Sequence, residues 1–352
     1  MDTNLTKEQK EIIMTTEPRV VVNACAGAGK TKCMIERVRT LLQWGTNPAE
    51  IVVITFTNQA ASELRERLSD TPNSERVFVG TIHSYCNTLL LMGGIDTSRI
   101  LNEENFDELF DLISTHYHVI PKVTHLLVDE AQDCDGKQYE FFFNYVRPLN
   151  FMMIGDWRQS IYEWRGAEPQ LLLDLSKQDD VKTYTLSTNF RSGARVIKTA
   201  AKVLDALDPD FHDYSLCGRG VRGQVTKLEG VLEAIDLIME DGNYGSWFIV
   251  CRTNQEISDV CYVLARKGIP YDSFKQSELD RGQLIQKMKD NTVKVLTVHA
   301  AKGLENDNVV VIGMRPWGKD EEKRIKYVAY TRARDHLYIV KTQSKKKKFQ
   351  EW

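Results

Sequence analysis

The stretch ACAGAGKT (residues 24–31) constrains this chain more than any other part of it. It follows an apolar run, VVVN, and opens a helix-patterned segment, TKCMIERVRTLL. A loop of small residues lets backbone N–H groups approach a polyanion, and the helix N-terminus behind it adds partial positive charge. Ala26, Gly27, Ala28 and Gly29 are therefore placed to cradle a polyphosphate. Lys30 can reach the β- and γ-phosphates, and the Thr31 hydroxyl can ligate Mg²⁺. The pattern opens on Ala24 where glycine is usual. A plain glycine-rich turn is the bland alternative; the strand before and the helix after argue against it.

The rest of the chain supplies the sheet that such a loop needs. Short apolar runs at 19–23, 50–56, 76–80, 125–129 and 150–155 read as buried strands, with helical spacing at 31–44, 59–69 and 137–146 between them. Beyond a polar stretch at 175–180 the pattern resumes, with strands near 183, 247–252, 293–298, 309–313 and 336–341 and helices at 254–267 and 323–334. Strands spaced by helices imply parallel α/β sheets with ligands at the strand C-terminal ends. At 352 residues, two such domains are expected, 1–178 and 179–352.

Composition narrows the class. No apolar run approaches the roughly 20 residues of a membrane span, and MDTNLTKEQK at the start has no apolar core, so neither a membrane segment nor a secretory leader is expected. Seven scattered cysteines form no CxxC pair, which points to a reducing compartment, the cytoplasm, rather than a disulfide or zinc scaffold. Net charge is −3, with 17 basic against 25 acidic residues up to 178 and 29 against 24 beyond. Bulk electrostatics cannot hold a nucleic acid on such a chain, so any grip must be a shaped groove. The lysine run 345–348 reads as a solvated tail.

A second acidic motif completes the phosphate chemistry. LLVDEAQD (126–133) is a buried strand ending in carboxylates. Asp129 is placed to hold the Mg²⁺ shell, and Glu130 to accept a proton from an attacking water. Together with the phosphate loop, this pairing points to an NTPase using Mg²⁺.

Further motifs follow in order: LTKEQKEII (5–13), VITFTNQAASELRER (53–67), GTIHS (80–84), MIGDWRQSIYEWRGA (153–167), LSTNFRS (186–192), VLTVHAAKGLE (295–305) and EEKRIKYVAYTRARD (321–335). The set resembles UvrD/Rep/PcrA-type superfamily one DNA helicases. The resemblance implies two RecA-like P-loop NTPase domains with parallel sheets and an ATP site in the cleft between them. It assigns Gln9 to the adenine edge, Phe190 to stacking on the adenine, and Glu305 to the ribose. Gln159 would sense the γ-phosphate, and Arg191 and Arg332 would act as arginine fingers. The family more often has Tyr at 190 and Phe at 306, where this chain has Phe and Asn. Such fingers stabilise charge on the transferred phosphoryl and are typically worth ~10³–10⁵ in rate.

The same motifs carry a single-strand track. Phe56, Tyr162 and Trp164 are candidate stacking platforms, with Arg165, His83 and His299 beside them; Thr55, Asn58, Thr81 and Thr297 are candidate backbone contacts. Stacking supplies about 1–3 kcal/mol per base and reconciles strand binding with a negative net charge. The His116/His118 pair, without nearby acids or thiols, reads as solvated loop rather than metal site.

Where relatives insert accessory subdomains this chain is short: only 85–122 in the first half, with a helical piece near 103–116, and about 277–292 in the second. The expectation is a monomeric 3′–5′ helicase or translocase on single-stranded and tailed duplex DNA, working alone or with a nuclease, replication or repair partner. Two alternatives remain at this point: a protein-displacing motor with little unwinding, and an ATP-gated clamp on single-stranded DNA.

Overall fold

A computed structural model describes residues 5–103, 105–208, 216–275, 281–314 and 319–341. The lysine run 345–348 and part of the 277–292 segment lie outside the described residues. Internal contacts divide the chain into two compact units, one of Gly29–Leu186 with the residues up to Ala24, the other from Ser187 onward with Cys25–Ala28.

The first unit is built on six parallel strands: β1 (Arg19–Ala24), β2 (Ile51–Thr55), β3 (Phe78–Thr81), β4 (His125–Val128), β5 (Asn150–Gly155) and β6 (Lys182–Leu186). Their order is β3–β2–β4–β5–β1–β6. All five residues of β2 are buried, the mark of a parallel strand covered on both faces. One of those faces packs Val52, Ile54, Leu126, Val128, Phe141 and Phe142 into a single apolar cluster. Because the strands run parallel, β1, β4 and β5 deliver Ala24, Asp129 and Asp156 to the same sheet edge. Crevices at that edge are where α/β sheets bind ligands.

Helix α1 (Lys7–Met14) precedes β1, and α2 (Lys30–Gln43), α3 (Asn58–Leu68) and α4 (Ile82–Met92) connect the strands. Two expectations change in detail. The helical piece expected near 103–116 is α6 (Asp107–Thr115), and a further short helix, α5 (Ser98–Asn102), precedes it. The segment 137–146 starts as α7 (Gly136–Glu140) and widens into a π-helix over Phe141–Val146, with Phe141 and Phe142 inside the apolar cluster and Phe143 packed against it. The strand expected near 183 is β6, which pairs with β1 through Val22↔Tyr184 and so closes the first sheet.

The second unit repeats the architecture. After β7 (Thr188–Asn189) and β8 (Leu216–Cys217), which pair with each other, come β9 (Gln224–Leu228), β10 (Trp247–Cys251), β11 (Tyr271–Phe274), β12 (Val293–Thr297), β13 (Asn306–Ile312) and β14 (Ala333–Val340). They form a parallel sheet in the order β11–β12–β10–β13–β14–β9. Its core gathers Ile249, Val295, Val310, Ile257 and Leu264. Two doubly covered parallel sheets bear out the α/β expectation. No disulfide joins the seven cysteines, five of which are buried. Among the described residues no helix is long and apolar enough to cross a membrane.

Candidate active site

Lys30 begins α2, one residue after Gly29, which caps the helix at φ 81°. Only glycine adopts that conformation without strain, and a Cβ there would also sit 3.0 Å from the Gln9 amide. Gln9 is buried and doubly tied to Thr6: its N–H donates to the Thr6 hydroxyl at 3.1 Å, and its Oε1 accepts from the Thr6 N–H at 3.0 Å. The capping box thus holds an amide side chain against the phosphate loop, where the sequence places an adenine reader. Ala26 and Ala28 are buried, Gly27 has φ 67°, and Thr31 is half-buried in the first turn of α2.

The Lys30 ammonium donates to Glu130 Oε2 at 2.9 Å. Burial pulls the Lys30 pKa down, but the carboxylates of Glu130, Asp129 and Asp156 outweigh it and hold the group above its ordinary 10.5. Glu130 occupies the left-handed region at φ 50°, which costs a non-glycine residue roughly 1–2 kcal/mol. Strain of that size persists only where the surroundings over-determine it. Here the surroundings are visible. The Glu130 N–H donates to Asp129 Oδ1 at 2.9 Å, and the Gln132 amide donates to Glu130 Oε2 at 2.6 Å.

A single buried network then reaches the β5 end. Gln132 Oε1 accepts the Asp156 N–H at 2.9 Å, and the Ser160 hydroxyl donates to the Gln132 carbonyl at 3.1 Å. The Asp156 carboxylate accepts from the Gln159 amide at 2.7 Å and from Arg158 at 3.3 Å. The first unit therefore brings together Lys30, Asp129, Glu130 and Gln159, through Gln132 and Asp156. Sequence reasoning passed over the last two, although both lie inside the quoted strings VDEAQD and IGDWRQ. Thr31 and Asp129 offer hydroxyl and carboxylate oxygens, the hard donors that suit Mg²⁺.

Beside this network lies a cavity of about 300 Å³ lined by Thr55, Phe56, Thr81, His83, Tyr162 and Arg165 among others. Six of the expected strand-contacting residues thus share one pocket. Phe56 and Tyr162 stack with centroids 5.3 Å apart and planes at 20°. The Arg165 guanidinium lies 5.6 Å from the Tyr162 ring centroid and 4.6 Å from that of Trp164, whose indole is 56% exposed. Asn58 is exposed at the start of α3. The hydroxyl of Thr55 donates to the Thr57 carbonyl, and that of Thr81 caps α4 by accepting the Ser84 N–H. His83 packs against Phe106 and Phe110, so burial holds its pKa below the ordinary value, against an upward push from Asp107 and Asp135. The cavity is also acidic, with Asp107, Asp129, Asp133 and Asp135 in its lining.

In the second unit Arg191 Nε donates to Glu305, and its guanidinium is mostly covered. Arg332 is 1% exposed and donates to the carbonyls of Val328 at 2.9 Å and Leu304 at 3.1 Å. Phe190 is 42% exposed and packs on Gly218. Asn306 bonds the Gly245 carbonyl through its amide, which gives the residue standing in the usual Phe position a polar anchor. Thr297 caps the short helix Val298–Ala301 by accepting the Ala300 N–H, and His299 is buried within that helix.

The profile of the UvrD/REP helicase N-terminal domain matches residues 5–117 and 117–180, and that of the UvrD-like helicase C-terminal domain matches 274–344. The chain belongs to the UvrD/REP helicase family. Its two sheets are accordingly RecA-like P-loop folds. A probable DNA helicase of Mycoplasma pneumoniae is 27% identical, the match covering 96% of this chain and 83% of that protein. The ATP-dependent DNA helicase Rep of Buchnera aphidicola is 26% identical over 76% of this chain and 56% of its own length. The ATP-dependent DNA helicase PcrA of Leuconostoc citreum is 24% identical over 76% and 49%. The chain thus spans about half the length of its Rep and PcrA relatives.

Proposed function

We propose that this chain is an ATP-dependent 3′–5′ DNA helicase and translocase that binds single-stranded DNA and couples hydrolysis to movement. The observation that carries the reading is the Lys30–Glu130 pair at the mouth of the phosphate loop, joined through Gln132 to Asp156 and Gln159. Lys30 binds the β- and γ-phosphates, Glu130 takes the proton of the attacking water, and Gln159 reports on the γ-phosphate. Thr31 and Asp129 would hold Mg²⁺, which would neutralise charge on the phosphates. Gln9 reads the adenine, Phe190 stacks on it, and Glu305 contacts the ribose. Arg191 and Arg332 supply positive charge to the transferred phosphoryl. The two motor domains alternate their hold on the strand.

Phe56, Tyr162 and Trp164 stack on bases, with Arg165, His83, His299, Thr55, Asn58, Thr81 and Thr297 along the same track. These contacts read shape rather than sequence. We place the protein in the cytoplasm as a monomer, acting on single-stranded and tailed duplex DNA. The test is ATP turnover with and without single-stranded DNA. Stimulation is expected in the parent and loss of turnover in Lys30→Ala and Glu130→Gln; equal turnover in all three refutes the assignment.

A second reading is favoured by the short insertion, in which only α5, α6 and one further turn separate α4 from β4. Such a chain displaces proteins from single strands more readily than it splits long duplexes. Comparing duplex unwinding with streptavidin displacement separates the two. Turnover indifferent to strand length, with tight ATP-dependent binding, would instead mark a clamp.

A further inference from the structure

We propose that Gln132 is a positioning residue for hydrolysis, holding Glu130 in register with the Asp156–Gln159 segment; this rests on the roles just given to Lys30 and Glu130. The side chain is fully buried, and its two ends face opposite demands. Its amide nitrogen donates to the Glu130 carboxylate at 2.6 Å, while its oxygen accepts the Asp156 N–H at 2.9 Å. A flipped amide would set N–H against N–H and oxygen against carboxylate, so one orientation alone serves both partners. No hydrophobic residue and no carboxylate can do the same. Room for this bridge is made by Gly155, where a Cβ would sit 2.5 Å from Gln132 Oε1 and 3.1 Å from its backbone nitrogen.

The bridge matters because Glu130 Oε2 is shared with Lys30. When Lys30 turns to a phosphate, its bond to Glu130 weakens, and the Gln132 amide keeps the strained carboxylate in place. The far end of the bridge fixes Asp156, whose carboxylate holds Gln159. A γ-phosphate felt at Gln159 is thereby connected to the carboxylate that activates water, through one side chain.

The test is steady-state ATPase at saturating single-stranded DNA for the parent, Gln132→Ala, Gln132→Glu, Gln159→Ala and the Gln132→Ala/Gln159→Ala double variant. Misplacing a catalytic group by about an ångström costs up to ~10²-fold. Both Gln132 variants are expected to lose kcat by roughly 10–100-fold, with KM for ATP and ADP binding little changed. Gln132→Glu retains an acceptor for the Asp156 N–H but loses the donor to Glu130 and sets a second carboxylate against it, so the split between kcat and KM, with ADP binding retained, separates positioning from a merely structural tie. The double variant should lose no more than the worse single one, because both residues act in one chain. Near-parental kcat in Gln132→Glu, a loss confined to KM, or multiplied losses in the double variant overturns the proposal. If Gln132→Ala fails to fold, Gln132→Glu decides. Lys30→Ala and Glu130→Gln run alongside: if they retain turnover, the site assignment falls and the inference with it, whereas parental Gln132 variants beside inactive Lys30 and Glu130 variants sink the inference alone.

Discussion

Replacing Lys30 by methionine keeps most of the side chain's bulk and removes its charge, which separates packing from electrostatics at the phosphate loop. The Lys30 side chain is 12% exposed and that of Glu130 30%. Breaking a fully buried pair costs about 3–5 kcal/mol. Here Glu130 has water on one side and the Gln132 amide on another, so a figure of about 1–2 kcal/mol is appropriate. For a unit of this size that lowers the melting temperature by about 2–8 °C. The sign with pH follows from the raised Lys30 pKa: the stabilisation is complete below 10.5 and is lost as pH rises through the higher folded value. The parent–variant gap should therefore be flat from pH 7 to 10 and close only above that. Nucleotide sharpens the test. A non-hydrolysable ATP analogue at ~100 times its Kd stabilises the parent by about 2.7 kcal/mol. Losing a charge-assisted bond worth ~1.5–3 kcal/mol weakens binding roughly 10–150-fold, so the same concentration adds only about 0.3–1.4 kcal/mol to the variant. Thermal melts with and without analogue and Mg²⁺ read both effects. A variant that melts with the parent and shows an equal nucleotide shift refutes the role of Lys30.

The two arginines should separate in the same kind of measurement. Arg191→Ala is expected to cut DNA-stimulated turnover by ~10³ or more with a small change in melting temperature, whereas Arg332→Ala should also destabilise the second unit by about 1–3 kcal/mol, because the Val328 and Leu304 carbonyls lose their donor. Phe56→Ala should weaken single-stranded DNA binding by about 1–3 kcal/mol in fluorescence anisotropy, and Trp164→Ala similarly, with no preference among base sequences. Lys294 is fully buried, donating to the Asp290 and Thr292 carbonyls; burial holds its pKa below 10.5 despite the pull of Asp272 and Asp290. The unfolded chain then binds the proton more tightly, so the second unit should gain stability as pH rises toward 10.5, and urea titrations of Lys294→Met should lack that slope.

The parts of this structure legible in the sequence are those encoded by neighbours along the chain. The run VVVN, the small-residue loop and the helix after it place Lys30 and Thr31 without reference to anything distant, and LLVDEAQD does the same for Asp129 and Glu130. What lay beyond reading depends on contacts between segments. Gln132 meets Asp156 across 24 residues, and only the parallel pairing of β4 with β5 brings them level. β6 is exposed at several positions, so its pattern does not announce membership of the first sheet; pairing with β1 decides it. In the insertion the helix read at 103–116 is α6, whereas the five-residue α5 before it is too short to show a helical period. The ordered motifs were legible as a family pattern, whereas their side-chain bonds are products of the fold.

The charge arithmetic of the phosphate site explains why these bonds are arranged as they are. An anionic nucleotide must enter a place already holding Asp129, Glu130 and Asp156, three carboxylates felt by one ammonium. On the proposed assignment these carboxylates serve metal and water, and they must stay in place when Lys30 turns to the substrate. The fold answers by giving each a donor that needs no mobile cation: the Glu130 backbone for Asp129, the Gln132 amide for Glu130, the Gln159 amide and Arg158 for Asp156. Lys30 is then not indispensable to the resting network and can turn from Glu130 toward phosphate at modest cost. Neutral amides are suited to this role because they hold a carboxylate in place without cancelling the charge that makes it a base. A lysine or arginine at 132 would bind Glu130 more strongly; a neutral glutamine fixes its position and lowers its basicity less than a cation would.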